Sequence, residues 1–238
     1  MVSKSQIKLI TSLQQKKYRD TNGLFIAEGQ KLITELMEEG LNLHSVFGTS
    51  SFMDASEKFS MVTERELQKL SALKKANGLL AVFEIPKPRA TTSEGLILAL
   101  DAIRDPGNLG TIIRLCDWFG VEQLVCSKDT ADCYNPKVVQ ASMGSIARVH
   151  IQYTDLSEYI KNMQLPVYGG VLNGNNIYSE ETPENAIVIM GNEANGISDE
   201  LIALLSHKIT IPQFGKVQKT ESLNVATATA ILLSEFRR

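Results

Sequence analysis

The chain has 238 residues, 43% of them hydrophobic and 21% charged, with a formal net charge of −3. This is the composition of an ordinary globular protein with room for one large or two small cores, not of a disordered, fibrous or disulfide-stapled chain. No apolar run approaches the ~20 residues that span a bilayer and MVSKSQIK has no apolar signal-peptide core, so no membrane partner and a cytoplasmic location are expected. Cys116, Cys126 and Cys133 are odd in number and lack the spacing of a zinc set or a disulfide framework, which agrees with a reducing compartment.

Charge is unevenly spread. Residues 1–89 carry 13 Lys and Arg against 10 Asp and Glu, and the remainder 11 against 17. Lys4, Lys8, Lys16, Lys17 and Arg19 are answered locally only by Asp20. Such an arm fits either an anionic partner or a solvated helix face, and charge alone leaves both open.

In chain order, the pattern predicts a helix over 4–15, a strand LFIAE at 24–28, and a helix QKLITELMEEG closed by Gly40. A strand SVFG, a helix near ERELQKLSAL and a strand GLLAVFEI follow, together a small α/β unit of about 85 residues. PKPR at 86–89, followed by ATTSEG, reads as a linker. Beyond it, LILALD (96–101), QLVCS (123–127), ARVHIQ (147–152), PVYGGV (166–171), AIVIM (186–190) and KITIP (208–212) read as strands. Several are apolar without alternation, as parallel strands covered on both faces are. Helices are expected at 110–119, 136–142, 155–163, 199–206 behind a Ser198 cap, and 223–236. That order predicts a doubly wound, mostly parallel α/β sheet whose ligands sit beyond the carboxyl ends of its strands.

Neither a G-x-G-x-x-G nor a P-loop pattern is present, and His44, His150 and His207 stand apart from any nucleophile or metal-ligand partner, which favours structural roles. Three loops after strands carry the chemistry instead. In DPGNLGTIIRLCDWFG (105–120), Pro106 and Gly107 force a turn, and a helix is expected near Thr111. Ile112, Ile113, Leu115, Cys116 and Phe119 then share one face, with Arg114 opposite beside Asp117. In the first turn of such a helix the dipole mildly disfavours a cation, a placement that makes sense if an anion such as phosphate comes there, although a surface pairing with Asp117 or another subunit explains Arg114 equally well. The second loop, MGNEANGIS, brings Asn192, Glu193 and Asn195 to the sheet edge between Gly191 and Gly196. In the third, IPQFGKVQKTESLNVATATAILLSEF, Ser222 or Asn224 caps a slim, alanine-rich helix.

Taken together, Asn108, Gly110, Arg114 and Gly120, then G-N-E-x-x-G at Gly191–Gly196, then Ile211, Pro212 and S-L-N-V at Ser222–Val225, resemble the SpoU (TrmH-like) family of RNA ribose methyltransferases in the SPOUT superfamily. The resemblance is strong over about 94–238 and looser over 1–85. It implies a small α/β ribosomal-protein-like RNA-binding domain (1–88), a linker (89–94) and a methyltransferase domain (95–238) tied in a deep trefoil knot. It further implies S-adenosylmethionine held at Leu172, Gly191, Ile211 and Leu223, no metal, a homodimer, and a reaction carried by Arg114, Asn108, Glu193, Ser222 and Asn224. The expected substrate is structured RNA, 23S rRNA ahead of tRNA, with Lys4, Lys8, Lys16, Lys17 and Arg19 on its phosphates. A non-catalytic RNA-binding or ribosome-assembly protein on this fold would have eroded Arg114, Glu193 or S-L-N, and all are intact; methylation at a base nitrogen is disfavoured by the same residues. Arginine is ordinarily always protonated, so Arg114 is either an unusual base or a charged group that holds the adjacent phosphate and polarises the hydroxyl. One departure stands out: KVQKTE places six residues between Gly215 and S-L-N where three are usual.

Overall fold

The structure, a computed structural model, describes residues 2–50, 57–88, 94–215, 217, 219 and 221–238. In order, the described elements are α1 (Lys4–Ser12), α2 (Lys16–Asn22), β1 (Leu24–Glu28), α3 (Gln30–Glu38), β2 (Leu43–Gly48), β3 (Phe59–Met61), α4 (Glu64–Leu70) and β4 (Leu79–Glu84). There follow β5 (Leu96–Leu100), α5 (Pro106–Trp118), β6 (Gln123–Ser127), α6 (Pro136–Ser142), β7 (His150–Thr154), α7 (Leu156–Lys161) and β8 (Val167–Asn176). β9 (Ala186–Met190), α8 (Asp199–Ile202), β10 (His207–Thr210) and α9 (Val225–Phe236) complete the chain. No helix among the described residues is long and apolar enough to cross a membrane. Two compact units form, one of Met1–Pro88 with Asp132–Ala147, the other of Arg89–Ala131 with Arg148–Arg238.

In the first unit a four-stranded sheet runs β1-β4-β2-β3, antiparallel except for the β2–β3 pair. Ile10, Leu13, Ile26, Phe47, Leu67, Leu70 and Val82 close its core under α1 and α4. The single helix expected over 4–15 is two. Thr11 and Ser12 hydroxyls donate to the Ile7 and Leu9 carbonyls (2.7 and 2.6 Å), local bonds that compete with continued helix, and the chain restarts at Lys16. Gly23, at φ 64°, ends α2 in the left-handed conformation that glycine adopts without penalty.

Arg19 is not on the basic surface. It is 2% exposed. Its Nε donates to Asp132 Oδ2 (2.9 Å), Nη2 pairs with the same oxygen, and Nη1 donates to the Leu13 carbonyl (2.8 Å). The expectation of an RNA-phosphate contact is therefore corrected for this residue, because its partner lies over a hundred positions away in sequence, where local charge counting cannot see it. Lys4, Lys8, Lys16 and Lys17 are exposed. Tyr134, two residues past Asp132, packs its ring on Phe25 (centroids 4.9 Å). Segment 132–147 thus belongs physically with the N-terminal unit.

In the second unit six strands run β10-β8-β9-β5-β6-β7 and every pairing is parallel. β5 and β9 are buried at every position, as two-sided coverage requires. Ile97, Val125, Leu156, Ile187, Ile189 and Leu201 are among the core residues. β7 starts at His150, not Ala147, because Ser145–Ala147 form a 3-10 turn. α8 is shorter than expected, and Ser198 caps it without a side-chain bond; its N–H instead donates to Asp101 Oδ2 (2.8 Å).

Asp132→Ala should strip the buried Arg19 guanidinium of its counter-charge and lower unfolding stability by about 3–5 kcal/mol. Urea denaturation followed by far-UV circular dichroism measures this, and a loss below about 1 kcal/mol would contradict the pair's role.

Candidate functional site

The site lies where the sheet order reverses. From β5 the chain progresses to β6 and β7 on one side, while β9 and β8 occupy the other, so the loops after β5 and β9 part at their carboxyl ends. Asp105 caps α5 by accepting from the Asn108 N–H (2.8 Å), with Pro106 in the first turn. The helix thus begins at Pro106, four residues before the expected start, and Gly110 lies inside it. Arg114 becomes the ninth residue of α5 and not a first-turn residue. The positive end of the helix dipole therefore does not act on it, since that effect fades within one turn.

Asn108 joins the three loops. Its Nδ2 donates to Glu193 Oε1 (2.7 Å), and its Oδ1 accepts from Asn224 Nδ2 (2.9 Å). Asn224 uses its own Oδ1 to cap α9, accepting from Ala226 and Thr227 N–H groups (3.0 and 3.2 Å). The β9 loop is held separately. Asn192 N donates to the Gly196 carbonyl (2.9 Å) and Gly196 N to that of Asn192 (2.8 Å). The Asn192 side chain accepts from Ala194 and Asn195 and donates to the Ala102 carbonyl (2.7 Å). Ala102 sits at φ 56°, a conformation costly outside glycine. The bond from Asn192 thus fixes the turn that leads to Asn108. In the sequence Asn192 is a turn residue and part of the G-N-E-x-x-G motif; its partner could not be read there.

Below this line of side chains opens a cleft of about 810 Å³, within the range of small-molecule sites. Leu172, Gly191, Ile211 and Leu223 line it, as do Glu193 and Ser222. Leu172 arrives through a break in the sheet register. Tyr168 and Gly169 of β8 pair with His207 and Lys208, but Ile209 and Thr210 pair with Asn175 and Asn176, which leaves residues 170–174 arched over the cleft. Gly174 permits this, because a Cβ there would lie 2.6 Å from the Ile209 backbone. At Gly191 a Cβ would collide with the backbone of Gly196 and Ile197.

Arg114 is exposed, on the α5 face that also shows Thr111 and Trp118. Among the described residues no hydrogen bond or ion pair joins it to Asn108, Glu193, Ser222 or Asn224. Nor does it pair with Asp117, which Arg148 engages through Nε (2.9 Å) and Nη2 (2.8 Å). Cys116, on the opposite face, is fully buried, and burial first, then the Asp117 charge, push its thiol above the ordinary range. Of the histidines, His207 stacks on Tyr168 (centroids 4.4 Å) and His44 contacts the Ser45 hydroxyl. No cluster of His, Cys, Asp or Glu suited to a metal occurs among the described residues. Of the six loop residues Lys216–Glu221, positions 216, 218 and 220 lie outside the described set.

The SpoU rRNA Methylase family profile matches residues 95–234, and that of the MRM3-like substrate binding domain matches 4–81. The chain is 30% identical over 242 residues to the 23S rRNA (guanosine(2553)-2'-O)-methyltransferase of Bacillus subtilis, covering 94% of this chain and 93% of the relative. It superposes on a TrmH-family protein from Porphyromonas gingivalis with a TM-score of 0.90 at 38% identity, covering 100% and 98% of the two chains. An AdoMet-bound rRNA methyltransferase from Sinorhizobium meliloti gives 0.86 at 28% identity, covering 100% and 96%.

Gly191→Ala sets a methyl against backbone that has no rotamer to yield, and should cost about 1–3 kcal/mol. Thermal melts should fall accordingly, and hydrogen exchange should rise over 191–198. Wild-type exchange in that loop would refute the close approach.

Proposed function

The chain belongs to the SpoU rRNA methylase family, and from that premise we propose that this RNA ribose methyltransferase transfers a methyl group from S-adenosylmethionine to the 2′-oxygen of a guanosine in 23S rRNA. The observation that carries the reading is the hydrogen-bonded line Asn224–Asn108–Glu193 at the lip of the cleft. It joins one residue from each of the three family motifs. The guanosine and the RNA are taken from the Bacillus subtilis relative. A cytoplasmic location belongs to this reading, by likeness to the Bacillus subtilis relative, whose ribosomal RNA is made there.

The cleft suits the cofactor chemically. Leu172 and Leu223 offer about half or more of their surface at its mouth, apolar walls for an adenosine, and the glycines leave backbone groups accessible. Gly191, Ile211, Leu172 and Leu223 would hold S-adenosylmethionine, which supplies a methyl already activated by its sulfonium. The chain's own residues then have to align the ribose and remove a proton. Among the described residues Glu193 uses only Oε1, on Asn108, so Oε2 is available to receive the hydroxyl's proton. Ser222 lines the same cleft and orients the acceptor.

Arg114 acts as a charged fork on the adjacent phosphate, which also polarises the hydroxyl. A homodimer docked through the exposed face of α5 brings it there. Support comes from Trp118, 84% exposed on that face, a large apolar surface to leave in water. The trefoil knot belongs to this reading as well. From β10 at the sheet edge the chain returns past the β9 loop so that α9 packs on α5. In the N-terminal unit, Lys4, Lys8, Lys16 and Lys17 contact RNA phosphates.

Mapping 2′-O-methylation in rRNA and tRNA from cells lacking the protein should show one 23S guanosine mark missing, restored by wild type and not by Asn108→Ala. A mark missing from tRNA would change the substrate, and an unaltered set of marks would overturn the reading. Under single turnover, Arg114→Lys should slow methyl transfer by about 10²-fold; an unchanged rate would remove any special role for the guanidinium. Charge reversal at the four lysines should weaken RNA binding and flatten its salt dependence by about 0.7–0.9 for each phosphate no longer neutralised. An unchanged slope would take α1 and α2 out of the interface.

A further inference from the structure

We propose that Phe214 and Tyr178 form a stacking platform for the base of the nucleotide being methylated. The proposal rests on the reading of the cleft as a ribose-methylation site. Phe214 follows β10 and is 83% exposed. Its ring stacks on Tyr178, with centroids 6.5 Å apart and planes 28° from parallel. Tyr178 is itself anchored. It lies in the 3-10 turn Ile177–Ser179 at the end of β8, its N–H donates to Asn176 Oδ1 (3.1 Å), and its neighbour Ile177 is fully buried. The backbone that carries one ring is therefore tied to the sheet, while most of the other ring stands in solvent.

Phe214 lines the same cleft as Glu193 and Ser222, the residues that face the reaction. Lys208 lines it too and brings a cation of use to a phosphate-bearing strand. An exposed phenyl group costs solvation unless something covers it, and the aliphatic Leu172 and Leu223 already serve the cofactor's adenosine. In single-stranded loops, the form of RNA that proteins recognise most specifically, the nucleotide that enters a cleft is splayed out of its stack. An aromatic face then replaces the stacking it gives up. Every base has such a face, so the pair positions the nucleotide without reading its identity.

The test uses tritium-labelled S-adenosylmethionine, 23S rRNA from cells lacking the protein, and the variants Phe214→Ala, Tyr178→Ala and Phe214→Tyr. Phe214→Ala should raise KM for the RNA by about 5- to 150-fold, the worth of one base–aromatic stack. Its Kd for S-adenosylmethionine, from equilibrium dialysis, should stay unchanged. Tyr178→Ala should act in the same direction, and Phe214→Tyr should restore the wild-type KM. An equal loss of cofactor affinity would assign the ring to the cofactor and overturn the proposal, as would an unchanged KM. Should wild type transfer no methyl to this RNA, the methylation reading fails on its own. Stacking is then judged by fluorescence anisotropy with a short single-stranded guanosine-rich RNA, where equal binding by wild type and Phe214→Ala would overturn it.

Discussion

Parallel pairing across the whole six-stranded sheet is the constraint from which the site follows. Parallel strands cannot be joined by tight hairpins, so each connection must cross over and return. All the strand carboxyl ends then lie on one edge. Loops separated by more than eighty residues, after β5 and after β9, emerge side by side where the order reverses, and the α9 cap arrives beside them. No local preference in any of the three loops produces that meeting.

Once the loops are adjacent, short polar side chains lock them. Asn108 is suited to the hub because an amide both donates and accepts, and it spends its donor on Glu193 and its acceptor on Asn224. Aspartate would repel Glu193, and leucine would leave both partners unmatched. Around this hub glycine works by absence: Gly191 and Gly174 stand where any Cβ meets backbone. The cleft is thus bounded by backbone that cannot retreat and by apolar side chains that tolerate water at its mouth. The same chemistry that makes the loops rigid leaves the Glu193 carboxylate facing the cleft.

Arginine illustrates how little a residue type says without its surroundings. Arg19 stands in a run of exposed lysines, yet it is buried on Asp132 from the far half of the sequence. Arg114 stands in an apolar run, yet it is exposed, and Asp117, its neighbour one turn along, is taken by Arg148. Periodicity correctly assigned the faces of α5, because 100° per residue is a property of the backbone alone. It misplaced the helix start, because the Asp105–Pro106 cap was read as a free turn. The strands LFIAE, QLVCS and AIVIM were legible to the residue from their short, mostly apolar runs. β3 and the long arch of β8 were not, since one is three residues long and the other carries glycine and asparagine.

The sequence by itself determined the two α/β segments, the strand runs, the helix faces and the three motifs whose joint presence marks the family. These follow from short-range rules: side-chain period, turn residues and spacing within a loop. Only the tertiary structure decided that Asn108 bonds to Glu193 and Asn224, that segment 132–147 belongs with the N-terminal unit, that residues 170–174 arch over the cleft, and that Phe214 finds Tyr178. Each of these is a meeting of residues far apart along the chain. Which of the many available partners a polar or aromatic group meets depends on strand order and register, which are settled by burial over the whole sheet and not by its neighbours in sequence.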